Sequence, residues 1–440
     1  MDTRPALHRA SILHFNADPG AQDDPASFEY WERGALLVRD GRVQAIGDAR
    51  DVAGDAETQI IDHGRRLIVP GFIDTHVHCP QTDIIAAAGN NLLDWLERFA
   101  FPAEQRFADT AHARSVADFF LDELLANGTT TAQVLCTVHR TSVEQLFEAA
   151  LARQLRIIAG KVLMDTNSPQ ALSETTADGE RDTRELIDTW HGRERLHYAI
   201  TVRFALTSSE AQLASTGALA REYPDVFIQS HLAENRQEVE AVRRAFPRDR
   251  SYLSVYDRFG LLRERATYAH GIYLDDIDRR RLAASGAGVA FCPSSNLYLG
   301  SGLFDLAASD AAGMRYALAT DVGAGSSLSM LRTMGEAYKV AQLQGQSLTS
   351  LRAFYLATLA GARMLGLDAQ IGHFAGGTEA DFIVLDPEAT PLLARRMRLA
   401  RTLSEQLQLY MILGDDRAVA DTYTLGRPVP KPKWRKEKST

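Results

Sequence analysis

From Pro70-Gly71 to about residue 370, short β-branched or apolar runs alternate with longer amphipathic stretches, and no other feature constrains the fold as strongly. Eight such runs occur: 71–77 (GFIDTHV), 129–135 (TTTAQVL), 156–164 (RIIAGKVLM), 196–204 (LHYAITVRF), 226–232 (VFIQSHL), 266–272 (ATYAHGI), 287–292 (AGVAFC) and 315–320 (RYALAT). Segments between them, such as 111–127 and 331–344, carry helical periodicity. Repeated βα units build a parallel sheet with helices outside, and eight of them close naturally into a barrel. An open doubly wound sheet is the alternative, but no dinucleotide fingerprint accompanies these strands. The predicted class is α/β, a (β/α)8 TIM-type barrel.

The two ends of the chain have a different texture. Residues 8–14 and 35–47 read as short strands, the second broken by an Asp40-Gly41 hairpin signal. From about Ile371 the β texture returns at 380–386, 408–414 and 420–429. We therefore expect a small β-sandwich domain assembled from 1–69 and 371–429, with 70–370 as the catalytic barrel. Residues 430–440 (PKPKWRKEKST) form a basic tail, expected to be solvated disorder.

Composition narrows the class of function. A formal charge of −9 disfavours nucleic acid and anionic membrane surfaces as partners. Three cysteines, Cys79, Cys136 and Cys292, cannot make a disulfide framework, and no signal-peptide core or membrane-length apolar run is present. The expectation is a soluble cytoplasmic protein.

In a barrel of this type, chemistry sits at the C-terminal ends of the strands. His76 and His78 stand two apart at the end of the first strand, so their imidazoles face the same side. An H-x-H alone is a weak signal. It gains weight because His231 closes FIQSH, His270 closes ATYAH, and Asp321 follows YALAT. Five unrelated polar strand ends would bury lone pairs and charge at considerable cost. Four imidazoles and a carboxylate at one rim suit zinc, or iron, without thiolates. Glu234, three residues after His231, is placed to act as acid and base beside that set. The other eight histidines, His8, His14, His63, His112, His139, His191, His197 and His373, read as ordinary surface or core residues.

PGFIDTHVH, the strand-end His231 and His270, and Thr320-Asp321 resemble the amidohydrolase superfamily. A narrower set resembles its guanine deaminase family: HCPQ (78–81), LLDWLERFAFPAEQRF (92–107), VRFALTSS (202–209), HLAEN (231–235), CPSSNLYLGSG (292–302) and TDVGAGSS (320–327). The sequence departs from that pattern at Val202, where proline is expected before Arg203, and at Ser294, in place of threonine. Neither position is a ligand. Binuclear members of the superfamily usually carry a carboxylated lysine ending the fourth strand; here the only lysine between His78 and His231 is Lys161, on the third, which favours a one-metal site.

The resemblance implies one zinc ion per chain, with iron as the alternative, held by His76, His78, His231, His270 and Asp321. Whether His270 ligates or only hydrogen-bonds stays open. It further implies a homodimer and the hydrolysis of guanine to xanthine and ammonia in purine catabolism, by attack of a metal-activated hydroxide on C2. Glu234, His270 and Asp321 would be catalytic. Gln81, Arg203 and Phe204 would bind guanine beside His78, His231, Glu234 and Asp321, with Arg203 donating to O6. The rival is an amidohydrolase acting on an s-triazine, a pterin or a modified purine. Trp95, Phe99 and Phe101 are expected to pack helices or cover the site, and Cys292 to be a small buried residue. The segment 322–327 reads as permissive backbone beside Asp321.

Overall fold

The computed structural model describes residues 4–89 and 91–430. Four strands come first: β1 (Ala6–Phe15), β2 (Phe28–Arg39), β3 (Arg42–Asp48) and β4 (Gln59–Pro70). All eight predicted barrel strands follow, as β5 (Phe72–His78), β6 (Thr129–Leu135), β7 (Arg156–Gly160), β9 (Leu196–Val202), β10 (Phe227–Leu232), β11 (Ala266–His270), β12 (Gly288–Phe291) and β13 (Arg315–Leu318). A two-residue strand, β8 (Val162–Leu163), pairs with β9. The chain ends with β14 (Phe382–Leu385), β15 (Val419–Thr424) and β16 (Arg427–Pro428).

The barrel strands run in one sheet in sequence order from β5 to β13. Every residue of β5, β6, β7, β10, β11 and β12 is buried, as expected where a parallel sheet is covered on both faces. The intervening helices include Thr110–Ala126 and Met330–Leu343, within a residue of the predicted segments. Their starts are fixed locally. Thr175, Ser209 and Asp275 each accept a hydrogen bond from the amide three residues on, satisfying a donor that the first turn would otherwise leave free.

Closure of the barrel places the strand ends. Thr75 Oγ1 donates to the Leu318 carbonyl at 3.0 Å. Just beyond β13, Asp321 N donates to His76 O at 3.0 Å and His78 N to Val322 O at 2.7 Å. The last strand is thereby pinned to the first at the residues expected to carry chemistry.

The expected β-sandwich takes the form of one continuous seven-stranded mixed sheet, ordered β16-β15-β14-β4-β1-β2-β3. Strand β4, unread in the sequence, is its centre, parallel to β1 and antiparallel to β14. Apolar residues pack on both faces: Ile12, Leu36 and Val38 on one, Leu7, Ala35 and Leu37 on the other. The Asp40-Gly41 turn joins β2 to β3, both residues having positive φ as a tight hairpin requires.

The expectation of a strand at 408–414 is wrong. Residues 408–413 lie in the helix Leu403–Leu413, capped by Thr402, and Gly414 ends it. Leu407, Tyr410 and Met411 are its buried residues, a three-and-four spacing that is helical although the run is continuously apolar.

The chain divides into two compact units. One comprises Met1–Ile73, Asp122–Thr131 and Ser329–Thr440; the other comprises Asp74–Leu121 and Ala132–Leu328 and contains every site residue named above. The basic tail, apart from Pro430, lies outside the described residues. Among the described residues, no helix is long and apolar enough to cross a membrane.

Candidate active site

His76 and His78, at the end of β5, turn their Nε2 atoms toward each other at 3.2 Å. His231, from β10, brings its Nε2 to 3.2 Å from that of His78. Asp321 Oδ1 lies 3.2 Å from His76 Nε2 and 3.3 Å from His78 Nε2. His270, ending β11, sets its Nε2 3.8 Å from Asp321 Oδ2. His270 and Asp321 both have left-handed backbone, φ 75° and 50°, which turns each side chain into the cluster at a local conformational cost.

The cluster fits a metal ion. A tetrahedral ion bonded at about 2.0–2.1 Å separates its ligands by roughly 3.3–3.4 Å, close to the spacings found. The second nitrogens assign the tautomers. His231 Nδ1 donates to the Arg203 carbonyl at 2.6 Å, and His270 Nδ1 faces Asn296 Oδ1 at 2.9 Å. Both Nε2 atoms are therefore left as lone pairs aimed inward, and that of His270 has no hydrogen-bond partner among the described residues. Such an inward set is unfavourable without a cation. His76, His231, His270 and Asp321 offer donor atoms within 4.8 Å of one another, and His78 Nε2 adjoins the first two and Asp321.

Burial dominates the titration of His76, His78 and His231. It pushes His76 below its usual range, His78 down to about 4 and His231 well below its usual range. Burial alone would raise Asp321, but hydrogen bonds from His76 and His78 outweigh it and hold the carboxyl well below the usual range.

Glu234 lies on the same cavity. Its Oε2 is 3.4 Å from His270 Nε2, its Oε1 accepts from Ser301 Oγ at 3.0 Å, and its backbone N–H donates to Glu238 Oε2 at 2.9 Å. Burial, reinforced by the charge of Asp321, pushes its carboxyl up to about 8. A carboxyl so placed can exchange a proton with a molecule in the cavity.

Gln81, Arg203 and Phe204 line the same cavity. Arg203 is 2% exposed; its Nη1 donates to Glu104 Oε2 at 2.5 Å, and its guanidinium lies 5.2 Å from the centre of the Phe101 ring. Leu92, Trp95, Leu96, Phe204, Leu299 and Ala324 form the apolar walls. Trp95 therefore both packs in the core and borders the site, while Phe101 packs in the same cluster with its ring against Arg203, and partly buried Phe99 packs against that cluster. Cys292 is fully buried, away from any thiolate role, and burial pushes its thiol up. Lys161 pairs with Glu174. Gly323 is required where it stands, since a Cβ there would meet Gln81 O at 2.4 Å.

Four functional candidates escaped the sequence reading. Asp74 is fully buried and accepts from Thr320 N at 3.0 Å and from the Thr320 hydroxyl, joining β5 to the segment just after β13. Glu238 closes a capping box with Asn235 and borders the cavity. Asn296 orients His270, and Glu104 bridges Gln81 and Arg203. Only Glu238 left a local signal, the Asn-x-x-Glu spacing at a helix start.

Comparison with known proteins agrees in extent and kind. The Amidohydrolase family model matches residues 67–429. A guanine deaminase of Escherichia coli (strain K12) is 45% identical over 406 residues, 92% of each chain. The structure of E. coli guanine deaminase superposes with a TM-score of 0.94 at 43% identity, covering 97% of this chain and 99% of that one. A guanine deaminase from C. acetobutylicum, solved with guanine bound in its active site, is 26% identical with a TM-score of 0.88, covering 97% and 100%.

Proposed function

The chain belongs to the amidohydrolase family, and from that premise we propose that it is a guanine deaminase, hydrolysing guanine to xanthine and ammonia. The observation that carries this activity is the near-full-length likeness to a guanine deaminase. A buried cavity with an inward imidazole and carboxylate cluster on one side and an arginine on another supports it.

His76, His78, His231 and Asp321 would hold one ion, zinc by the donor set, with His270 beside it. When bound, the ion lowers the pKa of a coordinated water toward neutrality. Water adds across the C2–N3 bond of guanine, oxygen to C2 and a proton to N3. Asp321 takes the proton of the water, and Glu234 delivers one to N3. The C2 amine then accepts, through Glu234, the proton held by Asp321; the C–N bond breaks to give ammonia, and the C2 hydroxyl returns its proton to Glu234 as it becomes the C2 carbonyl of xanthine. His270, its Nδ1 fixed on Asn296, steadies the oxygen while C2 is tetrahedral.

Arg203 and Gln81 hold the O6 edge of the purine, and Phe204 offers a ring face. Adenine carries an amine where guanine has O6, so Arg203 would face a donor. We extend the proposal to a cytoplasmic homodimer, which light scattering and cell fractionation test. For the chemistry, purified protein given guanine should form xanthine and ammonia in equal amounts. Guanine consumed without xanthine would refute it.

A further inference from the structure

We infer that Glu104 is a positioning residue that fixes which way the purine edge is read, by clamping Gln81 and Arg203 in one orientation. This rests on the guanine reading above. Gln81 follows β5, in the short helical turn Cys79–Ile84, and Arg203 follows β9. Glu104 reaches both from the helix Phe101–Gln105. Its Oε1 accepts from Gln81 Nε2 at 3.0 Å and its Oε2 from Arg203 Nη1 at 2.5 Å, and its side chain is fully buried.

A glutamine amide is two-fold ambiguous, since exchanging its oxygen and nitrogen alters little in shape. Here both ends are specified. Nε2 faces a carboxylate, which only accepts, and Oε1 receives the Gly323 N–H at 3.3 Å, which only donates. Turning the amide over would set oxygen against oxygen at Glu104 and donor against donor at Gly323. Gln81 therefore has one orientation toward the cavity. The same carboxylate balances the charge of Arg203, whose burial would otherwise be unfavourable. Phe101, from the same helix, lies against the guanidinium and limits its movement. One side chain thus couples two groups 122 positions apart in sequence to a single readout.

The test compares Glu104→Gln and Glu104→Asp with the parent on guanine and on 2-aminopurine, which has the same C2 amine and no O6. An amide at position 104 can accept from Arg203 or from Gln81 but not satisfy both, so the Gln81 orientation is lost. Because the edge contact is made in ground and transition states alike, Glu104→Gln should raise KM for guanine by about 30- to 300-fold. Its kcat should stay within about tenfold and its metal content should be unchanged. The ratio of kcat/KM for guanine over 2-aminopurine should narrow by about tenfold or more, because only guanine loses a contact. Adding Glu104→Gln to Gln81→Ala should cost less than the two single effects combined. Glu104→Asp keeps the charge but cannot span both partners, and should act in the same direction more weakly. If the neutral variant does not fold, the aspartate variant decides, by a rise of about threefold or more in KM for guanine. Unchanged KM and unchanged ratio, with only stability lost, would overturn the clamp. A parent inactive on guanine would overturn the functional reading, and this inference with it.

Discussion

Replacing Glu234 by glutamine isolates proton transfer from the rest of the site. The shape of the side chain is kept, and the oxygen that accepts from Ser301 Oγ at 3.0 Å can still do so. The backbone N–H to Glu238 is untouched. What disappears is the group able to take up and release a proton, 3.4 Å from His270 Nε2. General acid–base catalysis is worth about two to four orders of magnitude, or roughly 3–5 kcal/mol of barrier. We expect kcat for guanine to fall by that factor while KM changes by less than about fivefold, because Glu234 faces the reacting bond rather than the O6 edge. Stability should not fall, since burial and the Asp321 charge both oppose a carboxylate here and an amide carries neither penalty. Steady-state xanthine formation, elemental analysis of the metal and a urea midpoint measure the three effects separately. A variant turning over within about fivefold of the parent would show that protons move by another route and return Glu234 to a helix-start carboxylate.

Chelation should abolish activity, and His78→Ala or Asp321→Asn should lose both metal and turnover; elemental analysis finding two ions per active chain would contradict the one-ion site. Arg203→Ala should lower kcat/KM for guanine by about a hundredfold with metal retained, through loss of a charged hydrogen bond in a shielded cavity. It should also unfold at lower urea, because Glu104 is left buried without its cation. Away from the site, burial and then the charge of His63 depress His8 from 6.5 to about 3. The unfolded chain thus takes up this proton first as pH falls, and stability is lost from pH 6.5 down to about 3, by roughly 2 kcal/mol at pH 5. His8→Phe should remove that part of the pH dependence from urea titrations at pH 7 and 5, whereas an unchanged slope would contradict it.

The barrel was legible because buried parallel strands must be short and apolar, and eight such runs have no simpler closed arrangement. His76 and His78 were legible because residues two apart in a strand share a face. Glu104, Asp74 and Asn296 were not. Glu104 acts on residues 23 and 99 positions away, and Asp74 on one 246 positions away, so nothing near them in sequence marks them. Strand β4 was missed because its first eight residues, QIIDHGRR, are mostly exposed and include Gly64 and the charged Asp62, Arg65 and Arg66. The helix at 408–413 was misread because a continuous apolar run hides its period; the cap at Thr402 was the signal that could have settled it.

Substrate choice decides between the purine and its rivals: kcat/KM for ammonia release is to be measured on one preparation against guanine, adenine, pterins and s-triazines. Guanine should be preferred over adenine by about 10⁴-fold, since a cavity built to hydrogen-bond O6 strands its donors on any ring without it. A pterin or triazine turned over faster than guanine would overturn the guanine assignment, leaving the fold and the metal-binding cluster in place but assigning Gln81, Glu104 and Arg203 to a different ring.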